Sequence, residues 1–362
     1  MKRMFVSVAL VALLVATSCA GLGSKSESDI ASKKQEAPQR QGWEDDEFGP
    51  LYGDVESVTF INYDIAGIFG VIVKGKCFEK TVCKFNLKGD VVEVVWYDGD
   101  GSLYEKKLYK YDSQGNNVEY AWYYDDGSLA LGEKKLCKYD SQGNMIEKAW
   151  YNEDGSLDVK KLYKYDSQGN RIEEARYSGD GSLDSKDVYK YDSQGNKIEK
   201  ALYGYDGLVY YKYLYKYDLQ GNEIEEAAYY ADGSLALDEK KLYRYDSQGN
   251  MIKYAEYNGD GSLLDKKLYK YDSQGNMIEK AEYNKVFQKD GSLSEKIVYK
   301  YDSQGNQIEW ALYNGDGSLY SKEVYKYKYD SQGNIIEKVC YEKGIMRMRP
   351  SDIEERIIVY RK

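Results

Sequence analysis

Lys107-Leu-Tyr-Lys-Tyr-Asp-Ser-Gln-Gly-Asn-Asn-Val-Glu-Tyr-Ala-Trp-Tyr123 is the stretch whose reading decides the fold. Two runs rich in Tyr, Leu and Val, each of strand length, flank a short polar interruption. Gly115 supplies a positive φ there, and Asp112 and Asn116 supply side-chain turn bonds. A short loop with Gly in its third place suits a type I turn closed by a G1 bulge. The stretch therefore reads as strand, turn, strand.

Outward from it the pattern repeats. Tyr-Asp-Ser-Gln-Gly-Asn begins at Tyr111, Tyr139, Tyr165, Tyr191, Tyr245, Tyr271, Tyr301 and Tyr329, with a near copy at Tyr217 and a worn one at Phe85. Between the copies lies a second turn, Asp-Gly-Ser-Leu, as at Asp100, Asp126 and Asp154, with a worn version at Asp206. The Asp of successive copies falls at 112, 140, 166, 192, 218, 246, 272, 302 and 330, so every gap is even. Side chains on a strand alternate with period two, and an odd insertion would exchange the faces. A helix has no reason to prefer even steps. Alternation carried straight through the turn puts Tyr109, Tyr111, Glu119, Ala121 and Tyr123 on one face. It puts Leu108, Lys110, Val118, Tyr120 and Trp122 on the other.

Neither face is wholly apolar, so a dry sandwich is not expected. The expected fold is all-β: a tandem array of β-hairpins forming an elongated or coiled antiparallel meander, a solenoid with caps. Val55 to Ile61 and Ile357 to Tyr360 read as capping strands that cover its edges. The 41 Tyr, against 7 Phe and 5 Trp, suit half-wet pleated surfaces.

The repeat resembles the YD, or RHS-type, repeat over residues 78–341, on the strength of Tyr-Lys-Tyr-Asp-Ser-Gln-Gly-Asn followed by a strand and an Asp-Gly turn. Gly53-Asp-Val-Glu-Ser-Val-Thr59 similarly resembles the opening of YD-repeat lipoproteins. The resemblance implies paired strands winding into spirals or shells, often on bacterial surfaces, with carbohydrate binding sometimes proposed. Asn116 stands where that family frequently has Arg, and the unit is longer, which argues against a closed shell here.

The first residues give an address. Lys2 and Arg3 precede an apolar run from Val6 to Thr17, too short to span a bilayer, which needs roughly 20 residues, but suited to a signal peptide. Ala16-Thr17-Ser18-Cys19 resembles a lipobox, which implies acylation of Cys19 and removal of residues 1–18. Residues 19–50 have few apolar anchors and read as a flexible tether, with Trp43 and Phe48 near its end. Residues 51–77 are read as N-terminal capping strands and 342–362 as a C-terminal cap. The expected product is exported and lipid-anchored, in the outer membrane or at the cell surface.

Composition excludes several functions. Histidine is absent, which removes the commonest general base and metal ligand. A net charge of −10 argues against a nucleic-acid partner. Acidic residues recur unit after unit, whereas an active site is a singular constellation, so no catalytic residue, cofactor or metal is expected. Asp98-Gly-Asp-Gly-Ser102 looks like half of a calcium loop, but Tyr109 stands where the closing acid belongs. Cys77, Cys83, Cys137 and Cys340 lack zinc spacing and are read as free, Cys83 and Cys137 replacing the first Tyr of their units.

Trp96, Trp122 and Trp150 hold one position in three consecutive units, at a spacing of about 10 Å, and form a possible platform for a glycan. A local patch of better packing is the simpler reading of the three. Ala121 to Gly132 also resembles a choline-binding cell-wall repeat, once only. The expected function is a membrane-anchored structural or interaction module with a protein partner. The alternative is a carbohydrate- or cell-wall-binding protein using the Trp column.

Overall fold

The structure, a computed structural model, describes residues 50–65, 73–284, 292–343 and 348–361. The signal peptide, Cys19, Trp43, Phe48 and nearly all of the tether lie outside the described residues.

The described residues form 22 strands, β1 to β22 in chain order, in one antiparallel sheet without helices. Each strand pairs with the next. The hairpin of the opening stretch is β4 (Leu103–Tyr111) and β5 (Asn117–Tyr124), preceded by β3 (Val91–Asp98). β1 (Val55–Ile65) pairs with β2 (Lys74–Phe85) on one side and with β22 (Met348–Tyr360) on the other. The sheet is therefore a closed barrel.

Closure corrects the expectation of an open, elongated or coiled solenoid. The two strands read as caps pair with each other instead: Val58 lies opposite both Cys83 and Ile358. An open array would leave two rows of unpaired backbone groups, and pairing the ends removes both. Asn116 and the long unit could not report on this, because the seam is made by strands outside the repeats.

The turns form as their residues dictate. Asp112 N–H donates to the carbonyl of Asn116 at 3.0 Å, and Gly115 N–H to that of Asp112 at 3.1 Å. Gly115 sits at φ 100°. Asp112 Oδ1 accepts from the N–H groups of Gln114, Gly115 and Asn116, each at 2.9 Å. At the other turn Asp100 Oδ1 accepts from Ser102 N–H at 2.9 Å and Ser102 Oγ at 2.6 Å. Those bonds employ the carboxylate in its own turn.

Both turns bring a bulge, with register shifts between Lys110 and Tyr111 and between Trp96 and Tyr97. Each bulge inserts one residue and so exchanges the faces. This corrects the face assignment drawn from straight alternation. Tyr109 lies opposite Tyr120, Lys107 opposite Trp122, and Leu108 opposite Ala121. Two exchanges per unit cancel, so the even repeat lengths still keep each face continuous.

One face, here the alanine face, is nearly uniform. Ala121, Ala149, Ala175, Ala201, Ala255 and Ala311 are buried on it. Beside them runs a column of cross-strand ion pairs, Lys110–Glu119 at 3.0 Å, Lys138–Glu147 at 2.9 Å, Lys164–Glu173 at 2.8 Å and Lys190–Glu199 at 3.0 Å, continuing to Lys328–Glu337 at 2.6 Å. Exposed pairs contribute about 0.2–1 kcal/mol each, so the column fixes register more than it adds stability. The apolar core sits at the seam, where Leu51, Val55, Val58, Phe60, Cys83 and Phe85 pack together.

Candidate functional site

The opposite, tyrosine face carries the features that differ between units. Its frame is a ladder of phenols. Tyr111 donates to the carbonyl of Val91 at 2.7 Å, Tyr139 to Asn117 at 2.8 Å, Tyr165 to Met145 at 2.7 Å and Tyr217 to Lys197 at 2.8 Å. Each ring covers apolar surface while its hydroxyl satisfies a carbonyl exposed beside a bulge.

Upon that frame stand the tryptophans. Trp96, Trp122 and Trp150 are all half-buried. Lys107 Nζ lies 4.8 Å from the ring centre of Trp96 and 4.7 Å from that of Trp122, so one ammonium bridges two indoles. Trp150 is covered separately by Lys148 at 5.1 Å. Trp96 also packs against the seam core. Trp122 Nε1 is buried and makes no hydrogen bond. The structure thus brings Trp96 and Trp122 together through Lys107 and sets Trp150 beside a different lysine. Further along the column, Arg176 pairs with Asp184 at 3.4 Å.

A charged centre in the middle units was not singled out from the sequence. The residue after the turn Asn is Arg171, Lys197 and Glu223 in three successive units, where Met145 and Met251 flank the series. That change in a single repeat column was the available signal. Arg171 lies over the rings of Tyr163 and Tyr189, at 5.6 and 5.3 Å, and pairs with Glu174 at 3.1 Å. Lys197 Nζ is 4.1 Å from the ring centre of Tyr215. Burial pushes the Glu223 carboxyl up to about 7, helped by the charge of Glu226 and opposed by Lys197 and Lys241. Burial holds Lys197 below the usual lysine range. Nearby carboxylates are paired: Glu226 with Lys241 at 3.5 Å, Asp187 with Lys200 at 3.0 Å.

Cys77, Cys83, Cys137 and Cys340 are free thiols. Among the described residues no group of three or more His, Cys, Asp or Glu is placed to hold a metal. No described helix is long and apolar enough to cross a membrane, which says nothing of strands.

No protein-family model and no curated protein matches the chain. Solved structures similar to it include TcdB2-TccC3, at 14% identity and TM-score 0.38, over 76% of this chain and 18% of that one. The chain thus spans about a fifth of that chain's length. A porin-like protein from Bacteroides uniformis aligns at 8% identity and TM-score 0.24, over 84% of this chain and 98% of that one. Another from Bacteroides vulgatus aligns at 10% identity and TM-score 0.22, over 85% and 99%. At these identities and scores the likenesses decide neither the fold nor the function of this chain.

Proposed function

We propose that the protein is a lipid-anchored interaction module, displayed in the outer membrane or at the cell surface, whose tyrosine face recognises its partner. One observation carries this: variation between units is concentrated on that face. On the alanine face Leu or Val opposite Ala, and Lys opposite Glu, recur with little change. On the tyrosine face the residue opposite the first Tyr position is Tyr120, Lys148, Glu174, Lys200 and Glu226 in successive units. A scaffold needs the first pattern; the second, although its charges are paired within the face, presents a surface that differs from unit to unit, which is what recognition uses.

The anchor, rather than the barrel, makes the membrane contact in this reading. A bilayer-spanning barrel needs an outward apolar band of about 25 Å. Both faces carry lysine and glutamate within their strands, as at Lys110–Glu119 and Lys161–Glu174. The YD-type unit, a repeat often found at bacterial surfaces, supports the same setting.

The test has two arms. Palmitate labelling should succeed in the native chain and fail in Cys19→Ala. Surface and periplasmic protein partners should bind the native protein, and exchanges such as Glu174→Lys and Lys200→Glu should weaken binding, whereas Lys164→Gln should not. Equal loss from both faces would refute the assignment. Binding to a glycan array, removed by replacing Trp96, Trp122 and Trp150, would favour the carbohydrate alternative instead.

A further inference from the structure

The first-Tyr column runs Tyr109, Cys137, Tyr163, Tyr189, Tyr215, Tyr243, Tyr269, Tyr299 and Tyr327. At Cys137 a thiol stands where each neighbour has a phenol. Around it is a cavity of about 280 Å³, lined by Tyr109, Tyr111, Tyr120, Cys137, Tyr139 and Lys148 among others. Cys83 holds the same column position, yet there Leu51, Val58, Phe60 and Val94 fill the space, and Cys83 is 0% exposed. Loss of the ring is therefore compensated by packing at one cysteine and leaves a hollow at the other.

The walls state what fits. Tyr109 and Tyr120 meet edge to face at 5.3 Å, which leaves aromatic surface for a flat ring. Lys148 lies opposite Cys137 in register, and Lys135 Nζ lies 4.5 Å from the centre of the Tyr120 ring at the cavity wall. Two ammonium-bearing chains in the wall of a hollow lined by tyrosine rings suit a negative charge on an aromatic. Burial raises the Cys137 thiol, so it stays neutral and does not repel an anion. Size agrees, since a dry cavity of about 150 Å³ already admits benzene.

We propose that this cavity binds a small single-ring aromatic carboxylate, its ring occupying the place of the absent tyrosine and its carboxylate meeting Lys148 and Lys135. This deepens the reading of the tyrosine face as the binding face and rests on it.

The experiment titrates 4-hydroxybenzoate into the full chain by calorimetry, with saturation-transfer NMR as a second readout. About ten heavy atoms at a drug-like efficiency of about 0.3 kcal/mol each give a Kd on the order of 10 mM. Cys137→Tyr restores the ring that the other units carry, and should weaken binding at least tenfold while thermal stability holds or rises. Cys137→Ala should keep binding, which separates the cavity from thiol chemistry. Lys148→Met should weaken 4-hydroxybenzoate severalfold and leave phenol unchanged. Undiminished binding in Cys137→Tyr, or no saturable binding to the native chain, overturns the cavity assignment. Equal affinity for the carboxylate in Lys148→Met overturns the charge assignment. A chain that ignores 4-hydroxybenzoate but loses its protein partner on tyrosine-face exchange loses this inference alone.

Discussion

Val58 of the first strand lies directly opposite Ile358 of the last, and their contact closes the barrel. Val58 is 1% exposed within the seam core, against which Ile358 packs. Val58→Ala should therefore cost about 2 kcal/mol in chemical denaturation, as a buried truncation that leaves a cavity. Removing residues 348–361 should do something different in kind. It bares the free edges of β1 and of β21 (Ile335–Lys343), which then pair with other copies. Size-exclusion chromatography should show oligomers. A monomeric truncated chain of unchanged stability would mean the seam contributes little.

Tyr217 tests the phenol ladder. Its hydroxyl donates to the Lys197 carbonyl at 2.8 Å, and a Phe keeps the ring while deleting that donor. Tyr217→Phe should cost about 0.5–1.5 kcal/mol, the net contribution of one such bond. Tyr217→Ala should cost more, because the ring's contacts go as well. If Phe costs nothing, water serves the carbonyl equally well and the ladder acts through its rings alone.

The local layer of this fold was legible, and the global layer was not. Asp112 and Gly115 determine their turn through bonds within a few residues, so the hairpins could be read directly. The bulge beside Tyr111 was equally local, yet its consequence, the exchange of faces, follows only when the register is known. Closure depends on Val58 meeting Ile358, 300 residues apart in a chain whose repeats all resemble one another. Nothing in a single repeat encodes that meeting. The tryptophans were found because three of one kind align. Glu223 was not, because its character comes from burial, from Glu226 on its own strand, and from Lys197 and Lys241 on other strands of the array.

Trp96 and Trp122 share Lys107, and this makes a packing role testable against a platform role. Fully buried Trp→Ala changes cost ~3–5 kcal/mol. These rings are half-buried, so about 2 kcal/mol is expected for Trp96→Ala, which also loses contact with the seam core. Trp150→Ala, distant from the seam, should cost less. Lys107→Met removes the bridging cation and should cost about 0.5–1 kcal/mol. Thermal melts of the three variants give the order. Three stable variants that together lose glycan binding would restore the platform.

Glu223 gives the pH prediction. Its carboxyl is raised to about 7 in the folded chain, against an ordinary value of 4.5, first by burial and then by Glu226. A raised carboxyl means that the folded state binds more protons than the unfolded state between those two values. Stability from this group is therefore complete below about 4.5, declines as pH rises, and is gone above about 7. The side chain remains partly exposed, so solvent screening leaves roughly 1 kcal/mol rather than the full linkage value. Other carboxyls act in the opposite sense. Glu93 and Glu309 are held low by their lysines, although burial opposes this, and their stability is lost as pH falls. The total curve thus mixes both, and the informative quantity is the native chain minus Glu223→Gln. That difference should fall between about pH 4.5 and 7 and be level above. Lys197→Met removes a charge that opposes the shift, so it should move the falling window to higher pH. A difference curve that is flat, or that rises across the window, would show that the carboxyl is solvated and that the charged centre does not exclude water.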